Sequence, residues 1–143
     1  MGTGERETPP LFERRIEADP RALAELQRDL RAALERAGLD ARAAYAVDFT
    51  LEELGTNTIQ HGAGPLEVAV VLETAQVVVA LADRGPDFDP TTHPEPQPAV
   101  DLESAAVGGL GISMLRRLVA SIEHQRAGNV NRNVVRIARG AEA

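Results

Sequence analysis

Three short stretches of this 143-residue chain hold residue types whose spacing permits chemistry, and their order matters as much as their content. In the first, Glu53-Leu-Gly-Thr-Asn57, a carboxylate and an amide stand four residues apart. That spacing puts both on one face of a helix, with His61 one turn further on. An asparagine carbonyl oxygen is a hard ligand suited to Mg²⁺ when phosphates and waters complete the octahedron. A glutamate one turn away can serve a hydroxyl or water as general base. The same residues also read as a solvated helix face. Gly55 leans toward a site, because a glycine inside a helix costs about 1 kcal/mol relative to alanine and so suggests a close approach to that backbone.

The second stretch is Asp83-Arg-Gly-Pro-Asp-Phe-Asp-Pro90, at the end of an apolar run. An aspartate there can accept a hydrogen bond from an exocyclic amine, and Gly85 lets a flat ring lie against the backbone. An ordinary strand-ending turn has the same composition. The third is Gly108-Gly-Leu-Gly111, which opens a helical run at Ile112. Unpaired N–H groups and the positive end of the helix dipole make such a start a phosphate cradle. It has neither the lysine nor the spacing of a P-loop, and it does not follow a strand directly as a dinucleotide fingerprint does.

These stretches need a frame. Leu11 to Ala18 partly alternates, as an edge strand does. Asp19-Pro20 reads as N-cap and first helical residue, and Leu23, Leu26, Leu30 and Leu34 follow at helical spacing until Gly38. Asp40 caps a second helix that carries Tyr45, Val47, Leu51 and Leu54 toward a core and ends near His61-Gly62. Two strands follow, Leu66 to Glu73 and Gln76 to Asp83, joined by a tight hairpin at Thr74-Ala75. The second is a near-continuous apolar run, which predicts burial on both faces. Between Arg84 and Val107 five prolines sit among polar residues, the composition of a long lid-like loop. Helical periodicity returns at Gly111, and strands near Ser121 to Gln125 and Asn133 to Ala138 close the chain. The expected fold is α+β: a two-layer sandwich with a mixed, mainly antiparallel sheet, helices on one face and a lid at about 84–107. Residues 1–10 read as a flexible leader and 11–143 as a single domain.

Composition narrows the function. The net charge of −7 argues against nucleic acid and anionic lipid as partners. The absence of cysteine removes disulfides and thiolate metal sites. All 15 basic residues are arginine, so any side-chain cation in a site is a guanidinium. No apolar run approaches the roughly 18 residues that suggest a membrane span. Met1 to Pro10 is polar and unlike a signal peptide. A cytoplasmic protein is expected.

Taken in order, E-x-x-x-N on a helix, D-x-G at a strand end, a lid, and G-G-L-G before a helix resemble the GHKL ATP-binding superfamily. Glu53 to Gly62 looks like the N-box of stand-alone anti-sigma factor serine kinases. Asp83 to Pro90 and Gly108 to Arg117 look like that family's adenine and phosphate boxes, and Asn131 to Ile137 is similar to its terminal strand. The likeness runs from roughly Leu11 to Arg139. It implies ATP and Mg²⁺ as cofactors, with Glu53 as general base, Asn57 as Mg²⁺ ligand and Asp83 as adenine reader. Gly85 would pack on adenine, and Gly109 and Gly111 would approach the phosphates. His61, Phe88, Gly108 and Leu110 complete the implied binding set.

The resemblance also implies partners: a STAS-domain antagonist as phosphoacceptor, a sigma factor held in its place, an opposing PP2C-type phosphatase, and a second copy of the chain. Two positions depart from the pattern. Asp87 stands where many GHKL proteins have a second glycine, and Arg132-Asn133 stands where Gly-Thr often precedes the last strand. Two other readings stay open: an ATP-binding module that sequesters a partner without phosphotransfer, and a detached histidine-kinase catalytic domain.

Overall fold

In the computed structural model, which describes residues 8–61, 64–87, 89–92 and 110–140, the alternating stretches become strands and the helical periodicities a layer on one side of them. Strand β1 is Phe12–Ile16 and α1 is Pro20–Arg36; α2, Ala41–Thr50, runs through a π-helical turn at Leu51–Gly55 into α3, Thr56–His61. Strands β2, Leu66–Leu72, and β3, Gln76–Asp83, lead to a 3₁₀ turn at Pro90–Thr92. Helix α4 is Leu110–Leu118, followed by β4, Ser121–Ala127, and β5, Val130–Ala138. The sheet order is β1-β2-β3-β5-β4. All four pairings are antiparallel, the limiting case of the mainly antiparallel sheet expected. Of the expected lid, the structure describes only the root, as far as Thr92.

Local chemistry explains most boundaries. Asp19 accepts from the Arg21 and Ala22 amides at 3.4 Å each, with Pro20 at the first helical position. Gly38, at φ 79°, takes the left-handed conformation that ends α1. Asp40 caps α2 through Ala43 N at 3.1 Å and also accepts from Gly140 N at 2.9 Å. One carboxylate therefore joins the helix start to the chain beyond β5. Leu26, Leu30, Val47 and Leu51 from the helices meet Val70, Val79, Val135 and Ile137 from the sheet in a fully buried core.

Tyr45, expected to point toward the core, is exposed instead, and three further differences from the sequence reading have physical causes. The second helix is interrupted by the π-helical turn. Thr50 Oγ1 bonds back to Ala46 O at 2.7 Å at its start, a contact that bends helices, and Leu23 packs on Gly55, where an added Cβ would lie 3.0 Å from two of its carbons. Gly55 is thus explained by helix packing. Strand β3 is buried on one face only: Val77, Val79 and Leu81 are covered, whereas Val78, Ala80 and Ala82 are half-exposed because a single helical layer leaves the second face open. The last two strands are longer than expected and close on a two-residue turn with Gly128 at φ 62°.

The Asp40 bonds make a measurable prediction. Its carboxyl is held below the usual range, chiefly by the Gly140 N–H against an opposing effect of burial, so its contribution is present at neutral pH and lost as pH falls through the folded-state value. Asp40→Ala should lower the unfolding free energy at neutral pH by about 1 kcal/mol, a typical cap loss. Denaturant melts of both proteins should converge in acid.

Candidate functional site

The end of β3, the last helical turn before β2 and the core-facing side of β5 meet in a recess. Asn57, Thr58 and His61 line it from α3, Asp83 and Pro86 from the β3 end, and Asn131 and Asn133 from β5. Three of the expected residues, Asn57, His61 and Asp83, are therefore together. Gly85 is buried directly beside them. Phe88, Gly108 and Gly109 lie outside the described residues, and Leu110 is described only as the first residue of α4.

Asp83 is the buried carboxylate of the recess. At 9% exposure its carboxylate must be matched by donors, since a buried charge left unpaired costs several kcal/mol. Oδ1 accepts from Gly85 N at 2.8 Å and Asn131 Nδ2 at 3.1 Å, and Oδ2 accepts from Thr58 Oγ1 at 3.2 Å. A carboxylate offers about four lone-pair positions, so among the described residues one on Oδ2 is left to face the recess. Asn131 sits directly opposite Asp83 in the β3–β5 register. Its amide direction is set by Arg126, whose Nη1 donates to Asn131 Oδ1 at 3.0 Å and to Gly85 O at 2.9 Å. Asn131 Nδ2 is shared with Gly85 O at 3.1 Å and Pro86 O at 2.9 Å. The turn after β3 is thereby tied to the β4–β5 hairpin.

Thr58, Arg126 and Asn131 were not legible as site residues. A signal for Asn131 exists: Asn131 and Asn133 occupy the core-facing phase of β5, continued by Val135 and Ile137, and a polar residue in that phase needs a partner. The hydroxyl that the missing Gly-Thr would place near the aspartate is supplied by Thr58 from α3.

The second part of the site is the start of α4. A Cβ built on Gly111 would collide with the Glu53 carboxylate, so the absent side chain is what lets Glu53 lie against that first turn. Its neighbour Glu52 points elsewhere and accepts from Gln27 Nε2 of α1 at 3.3 Å. Burial raises the Glu53 carboxyl above the usual range, and the like charge of Glu52 adds to the effect.

These groups suit a nucleotide. The spare acceptor on Asp83 fits an exocyclic amine, and a helix start such as that of α4 suits phosphate oxygens, the room at Gly111 itself being taken by Glu53. Among the described residues no three His, Asp or Glu side chains are grouped to hold a metal. Asn57 therefore fits Mg²⁺ only in company with phosphate oxygens.

The fold is that of a GHKL-type ATPase domain. Sequence comparison agrees: residues 16–139 match the histidine kinase-like ATPase domain family, and the chain belongs to it. The serine/threonine-protein kinase BtrW of Bordetella bronchiseptica is 28% identical over 91 residues, 60% of this chain and 64% of that protein. The chain thus spans less than two thirds of that relative. Among solved structures, the RsbU and RsbW domains of Rv1364c from Mycobacterium tuberculosis superpose with a TM-score of 0.69 at 18% identity, covering 95% of this chain and 34% of that one. The Acinetobacter baumannii histidine kinase AdeS gives 0.50 at 15% identity, over 91% of this chain and 68% of that one. These two likenesses speak to fold.

The environment of Glu53 yields a test independent of activity. Its folded-state value is raised, so the stability tied to it is full below the ordinary carboxylate range and is lost as pH rises through the raised value. Glu53→Gln should melt higher than wild type at neutral pH, and the two curves should meet in acid. Equal melting temperatures at every pH would mean that the carboxylate is freely solvated.

Proposed function

We propose that this chain is an ATP-dependent serine/threonine protein kinase and anti-sigma factor of a bacterial partner switch, which phosphorylates a STAS-domain antagonist. The observation that carries the reading is the half-buried Glu53 carboxylate against the first turn of α4, with Glu52 turned away toward Gln27. A base poised at a phosphate-binding helix start suits transfer to a hydroxyl. A module that only held ATP would not need one.

In this reading ATP supplies the phosphoryl group, with Mg²⁺ neutralising its charge. Asp83 holds the adenine amine, Asn57 takes a place in the Mg²⁺ shell, and Glu53 accepts the proton of the serine or threonine hydroxyl. The raised value of Glu53 moves it toward the pH at which a general base works best. The kinase named in the Bordetella relative supports the assignment. A sigma factor as the alternative partner, a PP2C-type phosphatase as the opposing activity and a cytoplasmic setting belong to the same proposal. So does a homodimer. Among the described residues strand β1 pairs only with β2, Arg14 is drawn to Asp29 of α1 at 2.7 Å, and Arg15 on the opposite face stays exposed for a second copy.

Phosphotransfer from radiolabelled ATP to a STAS protein tests the central assignment. Glu53→Gln should still bind ATP but transfer about 10²–10⁴-fold more slowly, while Glu52→Gln should transfer nearly as wild type. Full transfer by Glu53→Gln would remove the base and favour the sequestering module. Asn57→Ala should abolish Mg²⁺-dependent ATP binding in calorimetry with the fold intact, because the side chain lines the recess and not the core.

A further inference from the structure

The two positions at which the sequence departs from the GHKL pattern, Asp87 and Asn133, are joined by one buried histidine. His124 of β4 lies opposite Asn133 in the β4–β5 register, and its side chain is 8% exposed. Its Nδ1 meets Asn133 Oδ1 at 2.8 Å and its Nε2 meets Asp87 Oδ1 at 3.1 Å. Asn133 Oδ1 can only accept, so at this contact His124 Nδ1 is the donor. The Pro90–Thr92 turn packs against the same strand. Arg116 of α4 holds that turn by donating to Pro90 O at 3.1 Å and Thr91 O at 2.7 Å.

The consequence concerns Asn133. Its Oδ1 is taken by His124, so its Nδ2 is the free end of the amide. Asn133 lines the recess, and Nδ2 has no partner among the described residues. A donor thus stands on the same face of β5 as Asn131, one alternate position from the residue that holds Asp83. Asp83 offers an acceptor and Asn133 a donor. Adenine presents the complementary pair along one edge, the N6 amine and the N1 lone pair. Guanine presents the reverse, O6 and N1–H.

We propose that His124 is a positioning residue for base selection: by holding Asn133 Oδ1 and Asp87, it aims the Asn133 amide N–H into the recess beside Asp83, so that the pair reads adenine. The inference rests on the nucleotide-site reading above and adds a second determinant to Asp83.

Calorimetry with Mg-ATP and Mg-GTP on the full chain tests it. His124→Phe keeps a ring of similar size but frees Asn133, and should lower the ATP-over-GTP affinity ratio about tenfold, the loss of one well-aimed hydrogen bond. His124→Gln, whose amide can still donate to Asn133 Oδ1, should recover part of the ratio. Asn133→Asp is isosteric, keeps the oxygen toward His124 and puts an acceptor into the recess, so it should shift the ratio further toward GTP. That variant decides the matter even if the phenylalanine variant folds poorly. An unchanged ratio in Asn133→Asp, or an equal loss for both nucleotides in a folded His124→Phe, would overturn the proposal. Failure of the wild-type chain to bind either nucleotide would instead overturn the nucleotide site itself, before any variant is compared.

Discussion

The Asp83 carboxylate cannot be buried at the end of β3 without donors from three separate parts of the chain, and the rest of the site follows from that requirement. Thr58 reaches it from the helical layer, Gly85 from the turn just beyond it, and Asn131 from the last strand. Each donor fixes something larger. Thr58 sets how α3 sits over the sheet end. Asn131 requires the β3–β5 register in which it faces Asp83, and Arg126 then requires β4 alongside. A one-residue slip of β5 would turn Asn131 to the open face and leave the carboxylate short of a donor. The acceptor position that no described residue fills belongs to Oδ2, on a carboxylate that lines the recess.

The two ends of the site are built differently. At the Asp83 end, side chains and backbone carbonyls interlock, and the geometry is set by a sheet whose strands are paired along their length. At the α4 end, Glu53 is placed mainly by exclusion: Gly111 makes room for it, Glu52 is occupied by Gln27, and burial keeps its carboxyl above the usual range. The π-helical turn that carries Glu53 sits where α2 passes into α3, and such turns often mark functional positions. In the proposed site, a hydrogen-bonded recess thus lies at one end and a helix start at which Gly111 makes room for Glu53 at the other.

Much of this was legible in the sequence because the signals are local. Alternation gave β2, an apolar run gave β3, Asp19-Pro20 and Gly38 bounded α1, and the four-residue spacing of Glu53 and Asn57 drew attention to the helical stretch that lines the recess and meets α4. The rest depends on contacts between residues distant in the chain. Gly55 suggested a ligand but accommodates Leu23. The apolar run of β3 suggested two covered faces, yet a strand's second face is covered only if another layer exists, which no strand can announce alone. Thr58 and Asn131 lie 25 and 48 residues from Asp83, beyond the reach of periodicity. His124, Arg126 and Asn133 acquire meaning only once the β4–β5 hairpin is folded against the turn after β3.

The account stands or falls on Asp83 as the acceptor that reads the base. Titration of the wild-type chain and of Asp83→Asn with Mg-ATP and Mg-GTP, each protein first shown to be folded by its thermal melt, measures this directly. Wild type should prefer ATP by about 1–3 kcal/mol, and Asp83→Asn, which can put an amide donor where the spare acceptor was, should lose that preference. Equal affinity of the wild type for the two nucleotides, or an undiminished ATP preference in Asp83→Asn, would contradict it.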